Sequence, residues 1–182
     1  MSWLTRTALL AAVLHITPTV ILVTRPEAVT RLTPGADAFF AREVHLSDAD
    51  AHRLHTAVDW SPDDGVLTFY TAKRAGSPVG AFVFVRVDTP HGPLEVAVGF
   101  DAAGTVRRVE VTKATVETKP WVLEALRAGL TDAYAGLRPG SGTAPGGARA
   151  VRAKVGALPA YMAEEVDKGV ARALAAYRGF YK

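Results

Sequence analysis

The stretch from Leu94 to Lys113 constrains the fold most, because it has the pattern of a β-hairpin. Two apolar-rich runs flank the turn signal Asp-Ala-Ala-Gly. Every second residue from Leu94 to Phe100 is apolar, so one face of this strand is expected to enter a core. The apolar phase changes after Val106, which predicts a β-bulge near Arg107-Arg108. A lone hairpin is marginally stable in water, so the chain must supply more strands and a covering layer of helices.

Two more strands are predicted upstream of the hairpin. Residues 61–65, Ser-Pro-Asp-Asp-Gly, form a turn cluster that opens a strand over Val66–Lys73. Val79–Val87 is apolar on both parities and is predicted to be a central strand. With the hairpin these strands make a four-stranded antiparallel meander with one face to cover. Before them, Thr33–Phe40 is expected to form a turn and a short amphipathic piece.

Helices are predicted on both sides of these strands. Ser47 has the features of an N-cap for a helix that runs to about Val58. Lys119–Leu137 and Pro159–Tyr177 carry apolar residues at helical spacing and are expected to cover the sheet. Arg138–Gly147, rich in Gly, Pro and Ser, predicts a mobile loop between them. The fold class is therefore α+β, an antiparallel sheet covered by helices.

An apolar run, Ala8–Val23, precedes these elements. It has about the length of a signal-peptide core and is slightly short for a membrane span of roughly 17–25 residues. Because no small-x-small cleavage site follows, we interpret it as a retained membrane anchor or a helix inside a larger assembly, with a soluble-core helix as the alternative. His15 inside the run could ligate a chromophore or metal, or act as a hydrogen-bonded interfacial residue. The expected organisation is an anchor and linker over 1–32 and an α+β domain over 33–182.

Composition excludes several classes of function. The net charge is +3 and charges of both signs are mixed along the chain, so nucleic-acid binding is not expected. The chain has no cysteine, which excludes disulfides, thiolate metal sites, iron–sulfur clusters and thioether-linked haem. Its hydrophobic content of 49% is ample for a core in a chain of 182 residues.

Motifs for catalysis are weak. No Ser/His/Asp order, P-loop or dinucleotide signature follows a predicted strand. His52 and His55 could face the same way on their helix, and His45 or Asp48 could complete a metal site. The alternative is a solvated polar face, and without an HExxH frame we predict no metal site and no catalytic residue.

Two further features leave alternatives open. The small-residue sequences Gly140-Ser141-Gly142 and Gly146-Gly147 could approach a phosphate or serve as a linker. Trp121, between the sheet and a helix, could stack on a flat ligand or fasten that helix to the sheet.

The order of these elements resembles the FMN-binding domain family. The residues that carry the resemblance are the hairpin, Glu117-Thr118-Lys119-Pro120-Trp121 with its helix, and the C-terminal helix with the residues before it. The family includes flavin-carrying subunits of the sodium-pumping NADH:quinone oxidoreductase and of Rnf complexes, often tethered by one N-terminal helix. The resemblance covers about Leu67 to Tyr177, with the apolar N-terminal run as a further likeness.

The resemblance also implies where a flavin would lie. The family attaches FMN through a phosphoester to the last residue of Ser/Thr-Gly-Ala-Thr, and the matching residues here are Val155-Gly156-Ala157-Leu158. Leu158 has no hydroxyl, so covalent FMN is not expected. If FMN binds non-covalently, Gly156 and Ala157 at a helix N-terminus and the ring of Trp121 are the expected contacts. Otherwise no cofactor is expected.

The sequence thus predicts a non-catalytic accessory subunit of a membrane-bound electron-transfer or photosynthetic complex of the reaction-centre or light-harvesting type. Its partners are the other subunits and, through residues 8–23, the membrane. The globular domain is expected on the periplasmic side. The alternative is an electron-transfer flavoprotein subunit that binds FMN non-covalently.

Overall fold

The computed structural model describes residues 17–181, which form six strands and five α-helices. The fold class is α+β, as predicted. The elements in chain order are β1 (Thr19–Ile21), α1 (Arg25–Leu32), β2 (Ala38–His45), α2 (Asp48–Val58), β3 (Val66–Arg74), β4 (Ser77–Val87), β5 (Leu94–Asp101), β6 (Val106–Thr115), α3 (Lys119–Arg127), α4 (Gly147–Val151) and α5 (Ala157–Phe180).

The six strands form one antiparallel sheet in the order β1-β6-β5-β4-β3-β2. The predicted meander is therefore its centre, and β4 is a central strand as expected. The bulge is also confirmed, since Gly99 pairs with Arg108 and Phe100 with Val106, which leaves Arg107 as the extra residue. Both edge strands, β1 and β2, were missed by the sequence pattern.

The N-terminal expectations need one correction. Most of the expected anchor helix over 8–23, including His15, lies outside the described residues. Of its described residues, 17–23, the segment Thr19–Ile21 is a strand paired with β6 and not a helix. Within residues 17–181, no helix combines the length and apolar character that crossing a membrane requires.

Helix α5 covers one face of the sheet and builds the main core. The predicted apolar stripe is confirmed, because Met162, Val166, Val170 and Ala173 are all fully buried. Gly169 lies so close to β5 that an added Cβ would meet Val96 Cγ2 at 2.9 Å. The small residue at this position lets the helix backbone approach the sheet closely.

The other face of the sheet is partly covered by α1, which the prediction of a single face to cover did not include. Ala28 and Leu32 of this helix are fully buried, and an added Cβ at Gly99 of β5 would meet Leu32 Cβ at 2.9 Å. Arg25 at the start of α1 donates to Glu95 Oε2 of β5 at 2.9 Å. The contact fastens the helix to the sheet.

The structure confirms one predicted helix boundary and changes two others. α2 begins after Ser47 as predicted, with a capping box formed by Ser47 and Asp50. The helix predicted over Lys119–Leu137 ends at Arg127, because Gly129 adopts a left-handed φ of 94° that an α-helix cannot contain. A 3₁₀ turn over Leu130–Tyr134 follows. Residues 138–146 form no helix or strand, and α4 begins at Gly147.

Two glycines of α5 test the close approach of helix and sheet. A Cβ added at Gly179 would meet nothing, so Gly179→Ala should stabilise the fold through helix propensity, by less than the roughly 1 kcal/mol of a helix interior because Gly179 lies in the last turn. Gly169→Ala should destabilise the fold, because overpacking against stiff valines costs about 1–3 kcal/mol and outweighs the propensity gain. Urea denaturation of both variants measures the difference, and equal stabilisation by the two would contradict the packing.

A pH-dependent contribution is expected from Glu95. Burial raises the pKa of this carboxyl, but hydrogen bonds from Arg25, Thr112 and Lys113 outweigh burial and leave the pKa below its usual value. A lowered folded-state pKa stabilises the fold above the unfolded pKa of about 4.3, and this contribution is lost as the pH falls through the folded value.

We therefore expect Glu95→Gln to lower the free energy of unfolding by about 1–2 kcal/mol at neutral pH. The difference from wild type should shrink as the pH is lowered below about 4.3. Denaturation at several pH values measures it, with Glu43→Gln at an exposed position of β2 as the control. A difference that stays constant down to acid pH would show that the charge of Glu95 is not responsible.

Candidate functional site

The place where the resemblance puts a flavin phosphate is the N-terminus of α5. Gly156 is the N-cap in an extended conformation and, as a glycine, has no side chain that could cap the helix. Ala157 and Leu158 form the first turn, and the Leu158 side chain is 44% exposed. Leu158 offers no oxygen, so the residues present do not fit covalent attachment of FMN.

A carboxylate of the chain already occupies this helix end. The N–H of Gly156 donates to Glu124 Oε1 of α3 at 3.3 Å. A phosphate monoester carries a charge of about −1.5 to −2 and would have to displace or repel this carboxylate. The positive end of the helix dipole is thus balanced from within the protein, and the site does not fit a phosphate group as it stands.

An open depression of about 400 Å³ lies beside Gly156. Arg152, the cation in its lining, forms an ion pair with Glu164 across the depression. The pair neutralises the charge that would otherwise attract an anion. The lining residues are Arg152, Val155, Gly156, Ala157, Ala160, Tyr161 and Glu164.

Trp121 does not line this depression. A row of ring contacts, through His91, connects Trp121 to Tyr161, which does line it. The Trp121 ring meets His91 edge-on at 5.2 Å between centroids, and His91 meets Tyr161 at 5.9 Å. His91 Nδ1 also lies 2.9 Å from Glu117 Oε1. These contacts join α3 and α5 to the β4–β5 connection.

Tyr161 is the polar member of this row that borders the depression. Burial raises the pKa of its hydroxyl, and the neighbouring Glu165 raises the pKa further. The hydroxyl therefore stays protonated at neutral pH and can donate a hydrogen bond. It is not suited to act as a base there.

The small-residue loop leads into α4, and a carboxylate of the chain already binds the N-terminus of this helix. The N–H groups of Gly147 and Ala148 donate to the carboxylate of Asp167 at 3.0 and 3.1 Å, and Tyr134 donates to the same carboxylate at 2.8 Å. The carboxylate replaces any external anion at the start of α4. The loop that precedes it, including Gly140–Gly142, therefore offers no pre-formed phosphate cradle at this end.

The histidines considered as metal ligands lie on β2 and α2. His55 Nδ1 lies 3.6 Å from Asp59 Oδ1, and both side chains are largely exposed. Within residues 17–181, no three His, Cys, Asp or Glu side chains lie close enough to hold a metal ion. His45, Asp48 and His52 thus have no ligand set around them in this part of the chain.

A second cleft, of about 390 Å³, opens between β3 and β4 and was missed by sequence reasoning. Strand patterns indicate which residues are extended but not where two paired strands separate. One sequence feature does mark the border of the cleft. The turn cluster 61–65, which contains Asp and Gly, comes directly before β3. The cleft is bordered by the loop from Asp59 to Asp63, by the first residues of β3, by the end of β4 and by Arg25 and Arg172.

Comparison of the chain with protein-family models, with curated proteins and with solved structures finds no match.

Proposed function

We propose that the protein is a non-catalytic accessory subunit of a membrane-bound electron-transfer or photosynthetic complex of the reaction-centre or light-harvesting type. It is built on an FMN-binding-like domain that has lost covalent flavin. The observation that carries this proposal is the hydrogen bond from Gly156 to Glu124, with Leu158 in the adjacent turn. A carboxylate and a leucine stand where the resemblance requires a phosphate and a hydroxyl. The domain then serves as a scaffold, on the periplasmic side of the membrane.

Membrane association is proposed through the apolar residues that precede β1. Because Thr19–Ile21 belong to the sheet, the apolar stretch available for this contact is Ala8–Ile16, Ala-Leu-Leu-Ala-Ala-Val-Leu-His-Ile. This stretch is shorter than the roughly 17–25 residues that a membrane span requires. We propose that it contacts one leaflet or the other subunits.

A second candidate is an electron-transfer flavoprotein that binds FMN non-covalently. The open depression beside Gly156 and Ala157, with the ring row to Trp121 behind it, favours this candidate. FMN would need to displace Glu124 from the Gly156 amide, and the three residues would then form its contacts.

The flavin content separates the two candidates. We expect the full chain, purified in mild detergent from its native membranes, to co-purify with other subunits and to release no stoichiometric flavin in acid. A parallel preparation supplied with FMN throughout controls for loss during purification. Near-stoichiometric flavin in either preparation would favour the flavoprotein and exclude the scaffold proposal.

The position of β1 indicates which truncation tests the proposed membrane contact without removing a strand of the sheet. Deleting residues 1–16 keeps β1 in place, so the domain should fold with an unchanged melting temperature and leave the membrane fraction. Deleting residues 1–23 removes β1 as well and should lower the melting temperature, because β6 loses its edge partner. Sedimentation and circular dichroism measure both effects. If the first truncation stays with the membranes, the domain surface holds it there and the proposed role of Ala8–Ile16 is wrong.

A further inference from the structure

The pairing between β3 and β4 covers only part of the two strands. The ladder runs from Arg74–Ser77 to Phe69–Val83 and does not continue over Val66–Thr68 and Phe84–Val87. Both segments remain paired on their other sides, with β2 and β5 respectively. Two strands that are fully formed thus separate inside a sheet, and the cleft of about 390 Å³ lies between them.

Open strand edges are a specific kind of surface. Paired strands lie about 4.8 Å apart and satisfy each other's N–H and C=O groups. Where β3 and β4 separate, the backbone groups directed into the cleft lose these partners and need water or another chain. The same property makes sheet edges the docking sites for extended peptides.

Arg172 of α5 replaces part of the missing ladder. Its Nη1 donates to the carbonyl of Arg86 at 3.3 Å, and its Nη2 donates to the carbonyl of Asp59 at 2.9 Å. Its Nε is buried without a hydrogen-bond partner among the described residues. The guanidinium therefore binds backbone carbonyls at the cleft rather than a carboxylate, and it links the end of β4 to the loop before β3.

This loop holds an unfavourable backbone conformation at the edge of the cleft. Asp59 and Asp64 have φ values of 46° and 56°, in the left-handed region that non-glycine residues rarely adopt. Such residues cost about 1–3 kcal/mol each and are kept only where the surrounding structure imposes them. They lie on either side of Trp60, which lines the cleft.

The lining indicates what the cleft would bind. It contains three arginines and three aspartates, so its formal charge is balanced and gives no preference for an anion or a cation. Peptide segments are also uncharged along the backbone and present donors and acceptors in alternation. The half-buried rings of Tyr70 and Phe84, together with Trp60, add apolar surface for side chains.

We infer that the cleft binds an extended segment of a partner polypeptide, which pairs with the open edges of Val66–Thr68 and Phe84–Val87. The open part of β3 has three residues, which corresponds to about 10 Å of extended chain. The segment completes the interrupted ladder from both sides. The inference does not depend on flavin binding. The cleft lies at the end of β3 and β4 that is far from the turn joining them, whereas the proposed flavin contacts lie at the N-terminus of α5.

A peptide selection tests the inference on the full chain. Random heptapeptides are selected for binding, and amide hydrogen exchange is then measured with and without a selected peptide. We expect protection at Val66–Thr68 and Phe84–Val87, and loss of binding when proline replaces the central peptide residue, since proline lacks the N–H that pairs.

Two tryptophan variants provide a matched pair. Thr68→Trp fills the cleft and should weaken peptide binding at least tenfold, whereas Thr30→Trp on the exposed side of α1 should leave it unchanged. Because hydrogen exchange is read on the wild-type chain, the test does not depend on the folding of Thr68→Trp. Enrichment of no peptide, protection elsewhere, or protection of the same amides by lipid vesicles instead of peptides would each overturn the inference.

Discussion

The close contact between α5 and the centre of the sheet determines the arrangement of the other elements. Gly169 allows the helix backbone to lie against Val87 and Val96, and the stripe from Met162 to Ala173 then fills the main core. The same helix supplies both regions of functional interest. Its N-terminus borders the depression at Gly156, and two-thirds along its length Arg172 reaches the cleft between β3 and β4.

Carboxylates of the chain bind the N-termini of α4 and α5. Glu124 accepts the free N–H before α5, and Asp167 accepts two N–H groups at the start of α4. Both ends would otherwise attract anions, because unpaired N–H groups and the helix dipole act together there. Carboxylates of the chain therefore lie at two helix ends where the backbone would favour a phosphate.

The sequence predicted those elements that depend on neighbouring residues in the chain. The hairpin with its bulge at Arg107 and the α5 stripe follow from side-chain periodicity, and the cap at Ser47 follows from side-chain chemistry. β1 was missed because its three residues lie inside an apolar run that shows no strand periodicity. These residues form a strand by pairing with β6. The absence of a hydroxyl at Leu158 was visible in the sequence. The Glu124 contact was not, because it joins residues on two helices that meet only after folding.

Because the β3–β4 ladder is interrupted, neighbouring strands of the sheet are not all joined over their whole length. β2 pairs with β3 along its whole length, but this pair is joined to β4 only over the segment Phe69–Arg74. Regions with fewer shared hydrogen bonds open at lower free energy than the global unfolding transition. The unpaired ends of β3 and β4 are therefore expected to open before the paired segment Phe69–Arg74 does, while Leu67 and Phe69 keep β3 attached to the main core.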